Sequence, residues 1–295
     1  MNNDSRRALF ARQLLALGGC IFMSLPGFAA AGGPWSFRAE TSIIHDNNIG
    51  KSQWENDIEE DVFFSGAAQA SYTKGFGFSQ ALTFSAEARV EEFQEFDGLS
   101  NTQAGGTMDY RFQTRSGFSA PIYSIFIRAT QADFETDIRD SNIFDLGFSA
   151  TRRLTSRITG TLGITATERD ADQSEVFNLE RTRYFGNLDW TLSRSVAVYG
   201  TYSFIDGDVF STATPRLSII NWAEAIEPDN AFGGIANNKA VYRLDAETQI
   251  FRVGVNIGLG NSSAIDISID RLNSDAAGPI EYDLTSVAAS YFYRF

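Results

Sequence analysis

The chain has 295 residues, 43% hydrophobic and 21% charged, with a formal net charge of −13. Its 25 Phe, 10 Tyr, 4 Trp and 25 Gly exclude low-complexity disorder, which is poor in aromatics. The acidic balance argues against nucleic acid as a partner. One His and one Cys leave no basis for Cys/His zinc sites, haem attachment or a disulfide scaffold, and no cofactor is indicated.

Residues 1–31 read as a secretory signal peptide. Arg6, Arg7 and Arg12 form a positive start, Leu14 to Phe28 an apolar run, and Ala29-Ala30-Ala31 a cleavage point before Gly32. Two rival readings exist: Leu17-Gly18-Gly19-Cys20 as a lipobox, and Ser5-Arg6-Arg7 as a twin-arginine signal. The apolar run continues past Cys20, which favours simple cleavage. Cleavage would leave 21 basic against 36 acidic residues and no thiol.

In residues 32–295 the longest uncharged stretch, Val253–Ile265, has 13 residues. A membrane helix needs about 20. What recurs instead is period-two alternation, the sign of a strand with two unlike faces. In 82–91 Leu82, Phe84, Ala86, Ala88 and Val90 alternate with polar residues. Phe144, Leu146 and Phe148, then Ile265, Ile267 and Ile269, do the same. Twelve such segments are predicted: 34–44, 61–74, 78–91, 103–115, 121–133, 142–154, 157–169, 181–192, 196–206, 240–258, 264–272 and 280–295. The tenth changes phase near Ile250-Phe251, which predicts a bulge. Pro34, Pro121 and Pro279 fall at strand starts, where no ladder bond is lost.

Connections alternate between short turns (75–77, 116–120, 155–156, 193–195, 259–263) and longer loops (45–60, 92–102, 134–141, 170–180, 207–239, 273–279). This is the pattern of an all-β, transmembrane, antiparallel up-and-down barrel of about 12 strands. A secreted soluble sandwich is the alternative. Against it stand the charge-rich polar face and the aromatics near strand ends: Trp35, Phe37, Tyr72, Tyr110, Phe112 and Trp190.

The chain ends Ser290-Tyr291-Phe292-Tyr293-Arg294-Phe295, with Tyr291, Tyr293 and Phe295 on one face. This resembles the C-terminal strand of Gram-negative outer-membrane β-barrel proteins. The resemblance covers the chain after residue 31 as an architecture and singles out no functional subfamily. It implies location in the cell outer membrane among its lipid and lipopolysaccharide. It also implies that Tyr291, Tyr293 and Phe295 form the signal read by the barrel-assembly machinery.

Carrying the alternation through places a set of charges in the lumen. The bases are Arg38, Arg89, Arg111, Arg128, Arg153, Arg157, Arg183, Arg243, Arg252 and Arg294. The acids are Glu40, Glu87, Asp109, Asp145, Asp189, Asp245, Glu247, Asp266 and Asp270. The near balance suits a lattice of ion pairs, with a selectivity ladder as the other reading. The acid surplus falls in the loops, as in Glu55, Asp57, Glu59 and Glu60, where it would concentrate cations.

The longest connection, 207–239, carries Leu217, Ile219, Ile220, Trp222, Ile226 and Phe232, which need a surface to pack on. It is expected to narrow or plug the lumen, with Trp222, Glu224 and Phe232 at the constriction. Three functions are open: a small porin-like channel for ions or small polar solutes; a closed structural or interaction barrel serving an unidentified envelope partner; and, third, an outer-membrane hydrolase. For the last, some twelve-stranded outer-membrane barrels are phospholipases with a His/Ser pair. Here Asn47 stands where the nucleophile would follow His45, so no catalytic residue is assigned. The Asp46-Asn47-Asn48 cluster has oxygen ligands suited to Ca²⁺ but lacks the EF-hand spacing, so no metal site is assigned.

Overall fold

A computed structural model describes residues 34–77 and 79–295, so the signal-peptide segment lies outside the described residues. The strands are β1 (Trp35–Asp46), β2 (Asp61–Gly75), β3 (Gln80–Phe93), β4 (Asn101–Gln113), β5 (Ile122–Phe134), β6 (Ser141–Arg153), β7 (Ile158–Ala171), β8 (Leu179–Thr191), β9 (Val196–Ala213), β10 (Ala225–Pro228), β11 (Ala240–Gly258), β12 (Ser263–Ala276) and β13 (Ile280–Arg294). Twelve of these form the wall. Each pairs antiparallel with the next, β9 pairs with β11, and β13 returns to β1 to close the ring. The four-residue β10 pairs with β11 at Ala240–Arg243, beyond the point where β12 ends.

Alternation decides the two faces of the wall. On β6, Phe144, Leu146 and Phe148 are exposed while Asp145 between them is buried. The same outward set includes Phe84, Val90, Ile125, Ile127, Leu162, Leu188, Phe251, Ile267 and Val287. At the short-turn end this outer face carries linked aromatic rings. Trp35 stacks on Phe37 and meets Tyr72 at 5.1 Å, and Tyr110, Phe112, Tyr123 and Phe148 form a stacked row across three strands. Tyr293 meets Phe295 edge-on at 4.8 Å. Such a girdle marks the water boundary of a barrel in lipid.

The anticipated bulge in β11 is absent. Its register runs unbroken from Ala240↔Ala213 to Ile257↔Val196 against β9, and from Ala246↔Ala276 to Gly258↔Ala264 against β12. The backbone phase is constant; the polarity of the faces is what inverts. Toward the long loops the inward residues become apolar (Tyr242, Leu244, Ala246) because loops pack against them inside the barrel. There the outward residues become polar. Arg243, Asp245 and Glu247 therefore share a face with Phe251 and Val253, opposite the lumen, correcting their placement among the lumen charges.

Strand β9 runs to Ala213, so the long connection is 214–239 rather than 207–239, and β12 runs to Ala276. Gly207 makes the β9 extension possible. Its φ is +125°, and a Cβ there would lie 2.3 Å from the Glu180 carbonyl oxygen on β8. Beyond it, β9 and β11 stand among loops on both sides: Val241 and Tyr242, on opposite faces, are both fully buried.

Gly207→Ala should therefore destabilise the barrel by more than about 1 kcal/mol, since both strain and backbone overlap oppose it. Gly66→Ala, where a Cβ meets nothing within 4 Å, should stay within about 0.5 kcal/mol of the parent. Denaturant unfolding of both variants in detergent checks the contrast.

Candidate functional site

The lumen is lined by side chains that register brings together. Arg38, Glu40, Glu87, Arg89, Asp109, Arg111, Arg128, Asp145, Arg183, Asp189, Arg252, Asp266 and Asp270 all lie on the face opposite the exposed apolar residues. Two ion pairs run across strands, because their members are direct register partners: Arg128 with Asp145 at 2.8 Å, and Arg252 with Asp270. Two run along a strand: Arg89 with Glu87 at 3.3 Å and Arg111 with Asp109 at 3.2 Å. Hydroxyls complete the lattice. Thr167 donates to Asp145 at 2.6 Å, Ser124 to Asp109 at 3.0 Å and Tyr199 to Asp266 at 2.9 Å.

At the long-loop end the mouth is crossed by the 214–239 connection. Its single helical turn, α1 (Leu217–Ile220), sends Ile219 into the cluster with Tyr242, Leu244 and Ile280 on one side. Further along, Phe232 packs with Phe63, Phe93 and Leu99 on the other side, 4.9 Å from the Phe96 ring. Burying each such side chain contributes about 1.5–3 kcal/mol. Phe232 thus sits inside the mouth. Trp222 does not: it is half-exposed and lies over Gly278 in the β12–β13 turn, where a Cβ would meet its ring at 2.5 Å. Glu224 is also at the rim, paired with Arg243 at 3.3 Å. The reason is local. One helical turn can direct only one apolar face inward, and Ile219 occupies it.

Two buried carboxylates hold this lid. Asp229, with no exposed surface, accepts from Arg139 at 2.6 Å, Thr212 Oγ1 at 2.6 Å and the Ala231 amide at 3.2 Å. Asp57, in the β1–β2 loop, accepts from Thr214 Oγ1 at 2.6 Å, Arg216 and Lys239 Nζ at 3.3 Å. It therefore ties the start of the lid to its end. Lys239 also bonds Glu59 at 3.0 Å. Asp57 and Glu59, two of the acids expected to draw cations, are thus matched by bases.

Below the lid lies a basic arc absent from the alternation reading. It comprises Lys51, Arg139, Arg169 and Arg181, continued by Arg183. Lys51 Nζ stands 4.1 Å from the Phe210 ring centre, and Arg139 stands 4.5 Å from that of Phe177. Arg169 donates to the Arg139 carbonyl at 2.8 Å. The signal for Arg181 was present, since it shares phase with Arg183. That no acid stands directly opposite it is not legible, because that depends on register: Arg181 lies opposite Thr167 and Gly207. Lys51 and Arg139 sit in loops, where alternation says nothing.

His45 lies on the outward side of β1 at the rim, 3.7 Å from Glu60. The neighbouring oxygens brace the loop. Asp46 accepts from the Asn48 amide, Asn47 from the Thr285 amide and Asn48 from the Ser52 amide.

No protein-family model matches the chain, and no curated protein sequence does. Solved structures do. An outer-membrane channel from Pseudomonas putida F1 matches over 92% of this chain and 99% of that one, at 11% identity and a TM-score of 0.58. The Pseudomonas putida toluene transporter TodX matches over 90% of each chain, at 9% identity and a TM-score of 0.46. The KdgM porin matches over 88% of this chain and 99% of that one, at 8% identity and a TM-score of 0.42. At these identities the likeness is one of fold: an outer-membrane-type β-barrel.

Burial pushes the Asp57 carboxyl up, but its hydrogen bonds from Thr214, Arg216 and Lys239 and the charge of Lys239 outweigh this and hold it below its ordinary 3.8. The closed lid thus binds fewer protons than the open one. Its anchoring is complete above the ordinary value and is lost as pH falls through the lowered one. Hydrogen–deuterium exchange of 214–239, corrected for intrinsic rates, should show constant protection from pH 8 to 5 and loss in strong acid. Asp57→Asn should raise lid opening at pH 7 roughly tenfold or more, since an ionic hydrogen bond contributes about 1.5–3 kcal/mol.

Proposed function

We propose that the chain is a small porin-like channel for ions or small polar solutes in the outer membrane of a Gram-negative cell. The observation that carries this is the two-faced closed wall. Its exterior exposes Phe, Leu, Ile and Val over its whole circumference, while its interior is lined by Arg, Asp, Glu, Ser and Thr. In water such an exterior would be an aggregation surface. In hydrocarbon it is the required one, and the polar interior then suits a wet path. On this reading Tyr291, Tyr293 and Phe295, on the outer face of the closing strand, serve insertion by the barrel-assembly machinery. The long-loop end faces outward among lipopolysaccharide.

A second reading, a closed barrel serving an envelope partner, draws support from the packed lid. The hydrolase reading draws none from His45, whose near neighbour is a carboxylate, with no serine hydroxyl hydrogen-bonded to it among the described residues.

Planar-bilayer recording separates the first two. The parent should give discrete conductance steps. Replacing 217–237 with a Gly/Ser linker should leave heat-modifiable gel mobility intact and enlarge the steps severalfold. Silence from both proteins would leave the closed interaction barrel as the function.

A further inference from the structure

Three cations crowd one ring at the mouth. Lys51 Nζ lies 4.1 Å from the Phe210 ring centre, and the guanidiniums of Arg139 and Arg169 each lie 5.7 Å from it. Both arginines also face the Phe177 ring, at 4.5 and 5.7 Å, and both are more than nine-tenths buried. Asp46 and Asp140 act on Lys51 and Arg169 through space. The acid that hydrogen-bonds to Arg139 comes from the lid, and it is Asp229.

That contact is single-pronged. Arg139 reaches Asp229 Oδ2 with Nη2, and Thr212 Oγ1 donates to the same oxygen. The other oxygen, Oδ1, accepts from the Ala231 amide and so caps the turn at Asn230–Phe232. The Nε–H of Arg139 and that of Arg169 have no hydrogen-bond partner among the described residues. A guanidinium binds a carboxylate best through two parallel hydrogen bonds. Asp229 does not make the second, because its second oxygen is engaged in the lid. The feet and the tip of the lid are held separately. Asp57 holds the feet, Arg216 and Lys239. Phe232 in its apolar cluster and Asp229 on Arg139 hold the tip, which turns through Gly233, Gly234 and Asn238, all at positive φ. The tip can therefore lift while the feet stay clamped.

We propose that Asp229 is the internal ligand of an arginine site, and that a small free carboxylate releases the lid tip by taking the place of Asp229 on Arg139. The free carboxylate engages Nη2 and Nε together. It occupies the space that Asp229 and the tip leave, so no preformed cavity is needed. It binds only the released state and so draws the equilibrium towards that state. An uncharged solute leaves the guanidinium without its counter-charge, and a monatomic anion lacks the two oxygens that match the fork. The proposal deepens the channel reading by naming the solute class that opens the mouth, and rests on that reading for the route by which the solute arrives.

Hydrogen–deuterium exchange of the full chain in detergent at pH 7 reads the tip directly. It needs no conductance and so fails separately from the channel reading. A tethered carboxylate competes at a millimolar or higher effective concentration, so acetate should act from the millimolar range upward. Exchange across 229–238 should then rise at least tenfold and saturate. Chloride at equal ionic strength, and acetamide as the uncharged isostere, should change it less than twofold. Asp229→Asn removes the internal competitor, so calorimetric titration should show acetate bound at least tenfold more tightly than by the parent. Arg139→Lys in that background keeps the charge and loses the fork, and should weaken acetate at least tenfold. A merely structural ion pair would loosen the lid in Asp229→Asn without creating acetate affinity. Heat-modifiable mobility shows which variants fold, and exchange in the parent carries the test where they do not. Equal exchange in acetate and chloride, or a folded Asp229→Asn protein that binds acetate no more tightly than the parent, would overturn the proposal. Release by acetate in a protein silent in bilayers would uphold the site and reject the channel.

Discussion

A sheet has two edges, and each carries a row of unpaired N–H and C=O groups. In hydrocarbon no water can satisfy them, so a spanning sheet must close on itself. Here the closure is made by β13 on β1, in register from Arg38↔Arg294 to Asp46↔Ser286. The rest depends on this ring. Once the strands are locked edge to edge, each side chain has only two directions, and the sequence assigns apolar residues to one and charged residues to the other. Slipping one strand by a residue would turn its charges into the lipid.

The mouth follows a different logic. Above Gly207, β9 and β11 leave the two-faced pattern and are packed on both sides, as Val241 and Tyr242 show. Loops fill the interior there, so the barrel acquires an apolar core at one end and keeps a polar lumen at the other. The lid is tied into this core by two carboxylates that satisfy its polar groups.

Much of the wall was legible because period two is a strong signal when repeated twelve times. The predicted segments overlap all twelve wall strands, and Tyr291 and Tyr293 lie on the closing strand, with Phe295 directly after it. Arg243, Asp245 and Glu247 were misplaced for a physical reason. Hydrophobicity marks the outer face along most of the wall, and near the mouth the packed loops reverse that marker while the backbone keeps its phase. Trp222 was misplaced because apolar content shows that a loop packs, without showing which residue turns inward. The pairing of charges was illegible altogether. It rests on which residues stand opposite one another, as Arg128 stands opposite Asp145 and Arg181 opposite Gly207.

The two-faced wall is tested most directly by spin-label scanning of β3 in lipid bilayers. The sole cysteine is Cys20, and replacing it makes single-cysteine variants from residue 83 to residue 90 straightforward. Labels at Thr83, Ser85, Glu87 and Arg89 should collide with a water-soluble nickel chelate. Labels at Phe84, Ala86, Ala88 and Val90 should collide with oxygen dissolved in lipid. A strict period of two with these phases is the expected result, and water access at Phe84, Ala86, Ala88 and Val90 equal to that at the other four positions would contradict it.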